Sequence, residues 1–229
     1  MEHFHFEDEL RLLKTRLLAM AALVEARVQL AVQALVERRG ELAEQVIAGD
    51  AEINDLQIEI DDRCLTILAL QNPKATDLRT IAAAMKINAD LERMGDQAVN
   101  IAEHALKLVR LPVLKPLIDI PRMAEMAAAM TRDSLDAFAR RDAALARLVL
   151  AQDDEVDALK DQLFRELLTY MISDPGTIER ALALLLVSRC LERIADHATN
   201  IAEDTIFMVE AKDVRHGHEG PATAGGVIP

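Results

Sequence analysis

LERMGDQAVNIAE, residues 91–103, returns as LERIADHATNIAE at residues 191–203. Nine of the thirteen positions are identical at an offset of 100, in a chain of 229 residues. Repetition over that length means a duplicated structural unit, and it decides how the rest is read. The recurring residues are not only apolar: Glu92, Arg93, Asp96, Asn100 and Glu103 return as Glu192, Arg193, Asp196, Asn200 and Glu203. On a helix turning about 100° per residue, positions i, i+4, i+8 and i+11 fall within roughly 80° of one another. Glu92, Asp96, Asn100 and Glu103 therefore form one stripe of oxygen donors, and Glu192, Asp196, Asn200 and Glu203 form another. Leu91, Met94, Ala98, Ile101, Ala102 and Ala105 lie mainly on the opposite, core-seeking side.

A stripe of carboxylates is ordinarily a solvated face, which asks only for polarity. Here the same residue types recur at the same offsets while much of the remaining sequence has drifted. Like charges one turn apart cost a helix roughly 0.2–0.5 kcal/mol per pair. Two matched stripes thus point to oxygen-ligand metal sites, with Glu92, Asp96, Glu192 and Asp196 as the principal carboxylates. Asn100, Glu103, Asn200 and Glu203 complete or orient the shell. Asp55, Glu59 and Asp62 are candidates from a neighbouring helix, with Asp154, Asp157 and Asp161 as their counterparts in the second half. The donors suit Fe, Mn, Zn, Mg or Ca without choosing among them.

The surrounding chain reads as all-α. Leu10, Leu13, Leu17, Met20 or Ala21, Val24, Val28, Ala31 and Leu35 step by threes and fours. Arg38-Arg39-Gly40 closes that helix, with Gly40 as the expected end signal. A second helix runs from about Leu42 or Asp50 to Gln71, where Asn72-Pro73 stops it. Thr76 or Asp77 then caps a third helix that carries the signature to about Arg110. Pro112 and Pro116 break residues 111–118 into a linker. The second half repeats the plan, with helices expected at 119–141, 143–172 and 177–211. Asp153-Asp154-Glu155-Val156-Asp157 echoes Asp50-Ala51-Glu52-Ile53-Asn54, and Asp174-Pro175 echoes Asn72-Pro73. The expectation is two up-down three-helix bundles related by a pseudo-twofold: residues 1–110, the linker, then 119–211. Residues 212–229 are rich in Gly and Pro and read as a disordered tail. The histidines near the two ends, His3, His5, His216 and His218, are expected to have no role.

Acidic and basic residues number 39 and 26, for a net charge of −13. That opposes nucleic-acid binding and direct attraction to an anionic membrane, and suits divalent cations. Wholly apolar runs such as Leu17–Val24 and Ala181–Val187 are far too short for a bilayer. The start MEHFHFEDEL lacks a signal-peptide pattern, and Cys64 and Cys190 sit in apolar helical positions as reduced core residues. A cytoplasmic location is expected.

The stretches DLERMGDQAVNIAE at 90–103 and CLERIADHATNIAE at 190–203 resemble the signature repeats of the PhoU family, as does LALQNPKATDLRTIAAAMKINADLERMGD at 68–96. The resemblance covers nearly the whole chain before the tail. It implies two three-helix bundles, and multinuclear metal clusters on an E/D-x-x-x-D motif matched by Glu92/Asp96 and Glu192/Asp196. It also implies a negative regulator of phosphate-starvation signalling. That regulator acts as an adaptor between the ATPase subunit of a phosphate ABC transporter and a sensor histidine kinase. A homodimer is expected, with membrane association only through partners. The second repeat departs at Ala195 and His197, where the first has Gly95 and Gln97. His197 either adds a nitrogen donor or serves as a hydrogen-bonded neighbour of the site, and the neighbour role is expected.

Two other classes compete with this reading. A ferritin-like di-metal enzyme needs two Glu-x-x-His motifs on facing core helices, and here that spacing occurs only at Glu2–His5. No Ser/His/Asp set, phosphate-binding glycine loop or Cys/His nucleophile pair stands out either, so no enzyme is expected. A purely structural helical scaffold would require both acidic stripes to face bulk water.

Overall fold

The computed structural model describes residues 2–71 and 73–214. Asn72 of the expected turn, the expected disordered tail beyond residue 214, and His216 and His218 lie outside the described residues, as do the side chains of His3 and His5. The elements are α1 (Glu2–Val36), α2 (Gly40–Ala48), α3 (Asp50–Gln71), α4 (Ala75–Val109), α5 (Asp119–Arg140), α6 (Ala143–Ser173), a 3-10 turn (Pro175–Thr177) and α7 (Ile178–Glu210).

The first half is α1, the α2–α3 pair and α4; the second is α5, α6 and α7. The expected second helix is broken at Gly49, which closes α2 through its N–H to Gln45 O and Val46 O. A side chain there would strike the Arg27 guanidinium, since a Cβ would lie 2.3 Å from Arg27 Cζ. Arg27 in turn bonds Glu52 at 3.1 Å, so the break is locked from α1.

Two expected end signals are corrected. Gly40 begins α2 instead of terminating α1, and Arg38 takes the left-handed conformation with φ 58°. That strain is offset because the Arg38 guanidinium donates to Val109 O and Leu111 O, carbonyls at the end of α4 and just beyond it. The residue preceding α4 is Lys74, with no side-chain cap; Thr76 and Asp77 lie inside the first turn. Asp142 does cap α6, accepting from Ala144 N at 2.9 Å and Leu145 N at 3.0 Å, a contribution of about 1 kcal/mol.

The two halves are not independent. α4 lies against α7, and the cross-pairs Arg79–Met208, Lys86–Asp204 and Asp90–Asn200 show numbers rising on one helix as they fall on the other. The two signature helices are therefore antiparallel, with Gly95 and Ala195 near the pseudo-twofold. Small residues (Ala98, Ala102, Ala195, Ala198 and Ala202, all fully buried) permit close helix approach. One continuous core joins both halves, from Leu17 and Met20 through Leu91 and Met94 to Leu191 and Ile201. α1 also spans the halves, with Arg132 of α5 donating to Glu25. By length and composition α1 would suffice to cross a membrane, but its apolar stripe Leu13, Leu17, Met20, Val24 and Val28 is core. The linker is tied down as well: buried Lys115 pairs with Asp119 at 3.2 Å and with Glu166. Cys64 and Cys190 are buried free thiols, and burial pushes them up to about 12 and about 11.

Candidate functional site

Glu92 and Asp96, one turn apart on α4, look toward the start of α3. Partial burial raises the Glu92 carboxyl above its ordinary value, and the charges of Asp96 and Asp50 add to the effect, while Arg93 and His197 oppose it. Burial likewise raises Asp96, with Asp50 as the second cause. Asp50 is the first residue of α3, and Asn54 Nδ2 donates to its Oδ2 at 2.9 Å. Three carboxylates thus share one acidic pit between α3 and α4.

The second half builds the same pit between α6 and α7. Burial raises Asp153, followed by the charges of Asp196, Asp157, Asp154 and Glu192. Burial also raises Asp196, followed by Glu192 and Asp157, with His197 and Lys160 opposing. Asp153 and Asp157 correspond to Asp50 and Asn54 at an offset of 103. This pit contains a resident cation. Lys160 Nζ donates to Asp157 Oδ1 at 2.7 Å and to Glu192 Oε1 at 2.9 Å, and those bonds raise its own value. The equivalent position in the first half is Gln57, whose backbone carbonyl accepts from buried Asn88.

Other expected residues go elsewhere. Glu59 pairs with Arg16 at 2.9 Å and lines a cleft with Glu9, Asp62 and Arg63, so Glu59 and Asp62 face α1 and not α4. Asp55, Asp154 and Asp161 are exposed on the outer surface, with Asp154 reaching the second pit only through its charge on Asp153. Asn100 and Glu103 lie one and two turns beyond Asp96, half-buried and exposed respectively. Glu203 is half-buried two turns beyond Asp196. Asn200 turns across the α4–α7 seam and donates to Asp90 Oδ1 at 3.2 Å. His197 Nδ1 meets the same oxygen at 2.9 Å, the hydrogen-bonded role expected of it.

The helical stripe missed Asp50, Asp153, Lys160 and Asp90. A usable signal existed for the first two: Asp50 and Asp153 repeat in place, as the signature does, whereas Glu59 and Asp62 do not.

Among the described residues, no three His, Cys, Asp or Glu side chains converge closely enough to hold a metal ion as they stand. The chemistry of the donors nevertheless fits a hard or borderline divalent cation, being carboxylate-rich and free of thiol. Burial is the first cause that raises these carboxyls and the charges of their neighbours add to it; a bound cation would oppose both.

A tandem pair of three-helix units, each with an acid-rich pit built on a Glu-x-x-x-Asp turn, defines the class of protein. The chain belongs to the PhoU family: it matches the PhoU domain over residues 17–105 and again over 120–205. It is 46% identical over 210 residues to a phosphate-specific transport system accessory protein PhoU homolog of Aquifex aeolicus, covering 92% of this chain and 95% of that one. It is 43% identical over 212 residues to the homolog so named in Pseudomonas putida, with 92% and 83% covered. The crystal structure of PhoU from Pseudomonas aeruginosa superposes with a TM-score of 0.87 at 41% identity, over 90% of this chain and 100% of that one. The phosphate transport system regulatory protein PhoU from Streptococcus pneumoniae superposes with a TM-score of 0.84 at 30% identity, over 91% and 99%.

Proposed function

We propose that this chain is a cytoplasmic, non-enzymatic regulator of phosphate uptake whose two acidic pits bind divalent or iron-type cations. Its relatives are named as accessory or regulatory proteins of phosphate transport, which supports the role. The observation that carries the metal reading is the recurrence of one pit in both halves, with Glu92 and Asp96 raised in the first and Asp153 and Asp196 in the second. A bound cation supplies charge neutralisation. Asp50, Glu92 and Asp96 would hold it in the first half, and Asp153, Asp157, Glu192 and Asp196 in the second. Neutralised pits leave the α4–α7 face free to dock on a basic or neutral partner surface.

The partners in this reading are the ATPase subunit of a phosphate ABC transporter and a sensor histidine kinase, which the protein, as a homodimer, restrains when phosphate is plentiful. Purified full-length protein, stripped with chelator and titrated with Mn²⁺, Fe²⁺ or Mg²⁺ during thermal unfolding, tests the metal step. A ligand at 100 times its Kd stabilises the folded state by about 2.7 kcal/mol. The stabilisation should vanish when Glu92→Gln/Asp96→Asn is combined with Asp153→Asn/Glu192→Gln. No metal in the purified protein and no thermal response would leave the acidic stripes as solvated faces of a scaffold. Capture of the ATPase subunit that ignores both the chelator and these substitutions would count against metal-dependent docking.

A further inference from the structure

At the pseudo-twofold, between the two acidic pits, α4 and α7 open a cleft of about 540 Å³ lined by Arg93, Gln97, Arg193, His197, Asp196 and Thr199 among others. In a chain of net charge −13 this cleft has two guanidinium groups on its wall. Both come from the same position of the repeat, so the duplication places them across the seam from each other. Neither Arg93 nor Arg193 forms an ion pair or hydrogen bond among the described residues. Of the negative groups nearby, Glu92 feels the Arg93 charge, and two others are committed. Asp90 is occupied by His197 and Asn200, and Glu192 by Lys160.

Gln97 supplies an independent indication of a ligand. It is 8% exposed, lines the cleft, and its Oε1 is buried with no hydrogen-bond partner. A buried amide oxygen left unpaired is costly, and the fold offers no donor that fixes this amide. Oε1 is the buried end of this amide, which leaves the N–H₂ as the end available to the cleft, where it can donate to an oxyanion beside the two arginines.

We propose that the cleft between Arg93 and Arg193 binds a phosphate group, either inorganic phosphate or a small organic phosphate monoester. Planar guanidinium forks suit the oxygens of such a group, and two of them from opposite helices supply paired donors around one anion. The volume admits more than a bare ion. Asp196 on the rim carries the opposing charge and lowers the affinity. The site needs no metal but shares Asp196 with the second pit, so it is tested with metal withheld.

Equilibrium dialysis of the full chain against radiolabelled inorganic phosphate, in chelator, tests the proposal. Saturable binding in the low-millimolar range or tighter is expected. Arg93→Gln and Arg193→Gln should each weaken it on the order of ten-fold, the effect of losing a charge-assisted hydrogen bond, and the double substitution by more. Asp196→Asn should tighten it several-fold. Both arginines are exposed, and a thermal unfolding profile like that of the unaltered protein verifies that the double variant is folded. Competition with glycerol phosphate separates the two ligand sources: a monoester that displaces phosphate more strongly than phosphate itself marks the ester as the better fit. Either no saturable binding to the unaltered chain, or equal binding to the folded double-arginine variant, overturns the proposal.

Discussion

Replacing Gly95 with alanine puts the α3–α4 contact beneath the first acidic pit to a quantitative test. A Cβ on Gly95 would lie 3.0 Å from Ile53 Cδ1 and 3.3 Å from Ile53 Cγ2. Optimal carbon contacts are about 3.5–4.0 Å, so both are compressed. Ile53 is 1% exposed and β-branched, with little freedom to turn away. Overpacking of this kind costs about 1–3 kcal/mol. Alanine returns about 0.8–1 kcal/mol of helix propensity. Gly95→Ala should therefore destabilise by about 1 kcal/mol. The second half already contains the compensated pair: Ala195 for Gly95 and Val156 for Ile53, at offsets of 100 and 103. Ile53→Val alone leaves a methyl-sized gap and costs about 1 kcal/mol. Together the substitutions fill the gap with the new methyl, and the double variant should match or slightly exceed the parent. The coupling is about 2 kcal/mol, well outside the additivity expected of independent sites. Urea unfolding of all four proteins, followed by far-ultraviolet circular dichroism, measures it. A Gly95→Ala protein as stable as the parent, or a double variant whose loss is the sum of the two singles, would refute the packing argument.

Four further outcomes follow from the structure. Glu92, Asp96, Asp153 and Asp196 all bind protons more tightly folded than unfolded, so above their folded values they destabilise the metal-free protein. That destabilisation fades as pH falls toward the ordinary values of 4.5 and 3.8, so a variant with all four as amides should be more stable than the parent at neutral pH by a margin that shrinks on acidification. Lys115→Met breaks a buried pair with Asp119 and Glu166; because Glu166 is 36% exposed, the loss should be about 2 kcal/mol, below the 3–5 of a fully buried pair, read from the urea midpoint. Ala211 closes α7 at φ 56°, where glycine is preferred, so Ala211→Gly should raise the thermal midpoint by a stabilisation of about 0.5 kcal/mol, after the entropy that glycine adds to the unfolded chain. Lys160→Gln removes the ammonium from the second pit and should strengthen Mn²⁺ binding there, by calorimetry, while the first pit is unchanged; equal affinities before and after would mean that Lys160 does not compete with the cation.

Helix type and approximate extent are legible because the long periodic segments that stop before Pro73, Pro112 and Pro175, or begin after Pro116, admit only one secondary structure. The pairing of α4 with α7 as antiparallel neighbours is not. Apolar periodicity shows which side of each helix is buried but not what it is buried against. The same limit explains the misplaced ligands. Asp55, Glu59 and Asp62 share a stripe with Glu52, but a stripe gives angles relative to its own helix and none relative to α4. The break at Gly49 rotates α3 as a new helix, and Glu59 ends up against Arg16 of α1. Repetition carries what periodicity lacks. Asp50, at the start of α3, and Asp153, about a third of the way along α6, hold equivalent places in the repeat, and both lie in the pits.

The two pits have diverged in charge although their principal carboxylates are the same. The first has Asp50, Glu92 and Asp96 with Asn54 as a neutral neighbour; the second replaces Asn54 with Asp157 and adds Lys160. Each change answers the other. An extra carboxylate in the second pit increases the repulsion around Asp153 and Asp196, and the ammonium one turn along α6 neutralises it internally. A cation entering the second pit must then displace the Lys160 bonds to Asp157 and Glu192, whereas a cation entering the first meets carboxylates with no ammonium between them. The extra negative charge of Asp157 repays part of that displacement once the ammonium has swung into solvent. Unequal affinities are the expected consequence, with the first pit filling at lower cation concentration. A duplicated fold with graded sites responds over a wider range of cation concentration than one with two identical sites, and the difference resides in two residues, Asp157 and Lys160.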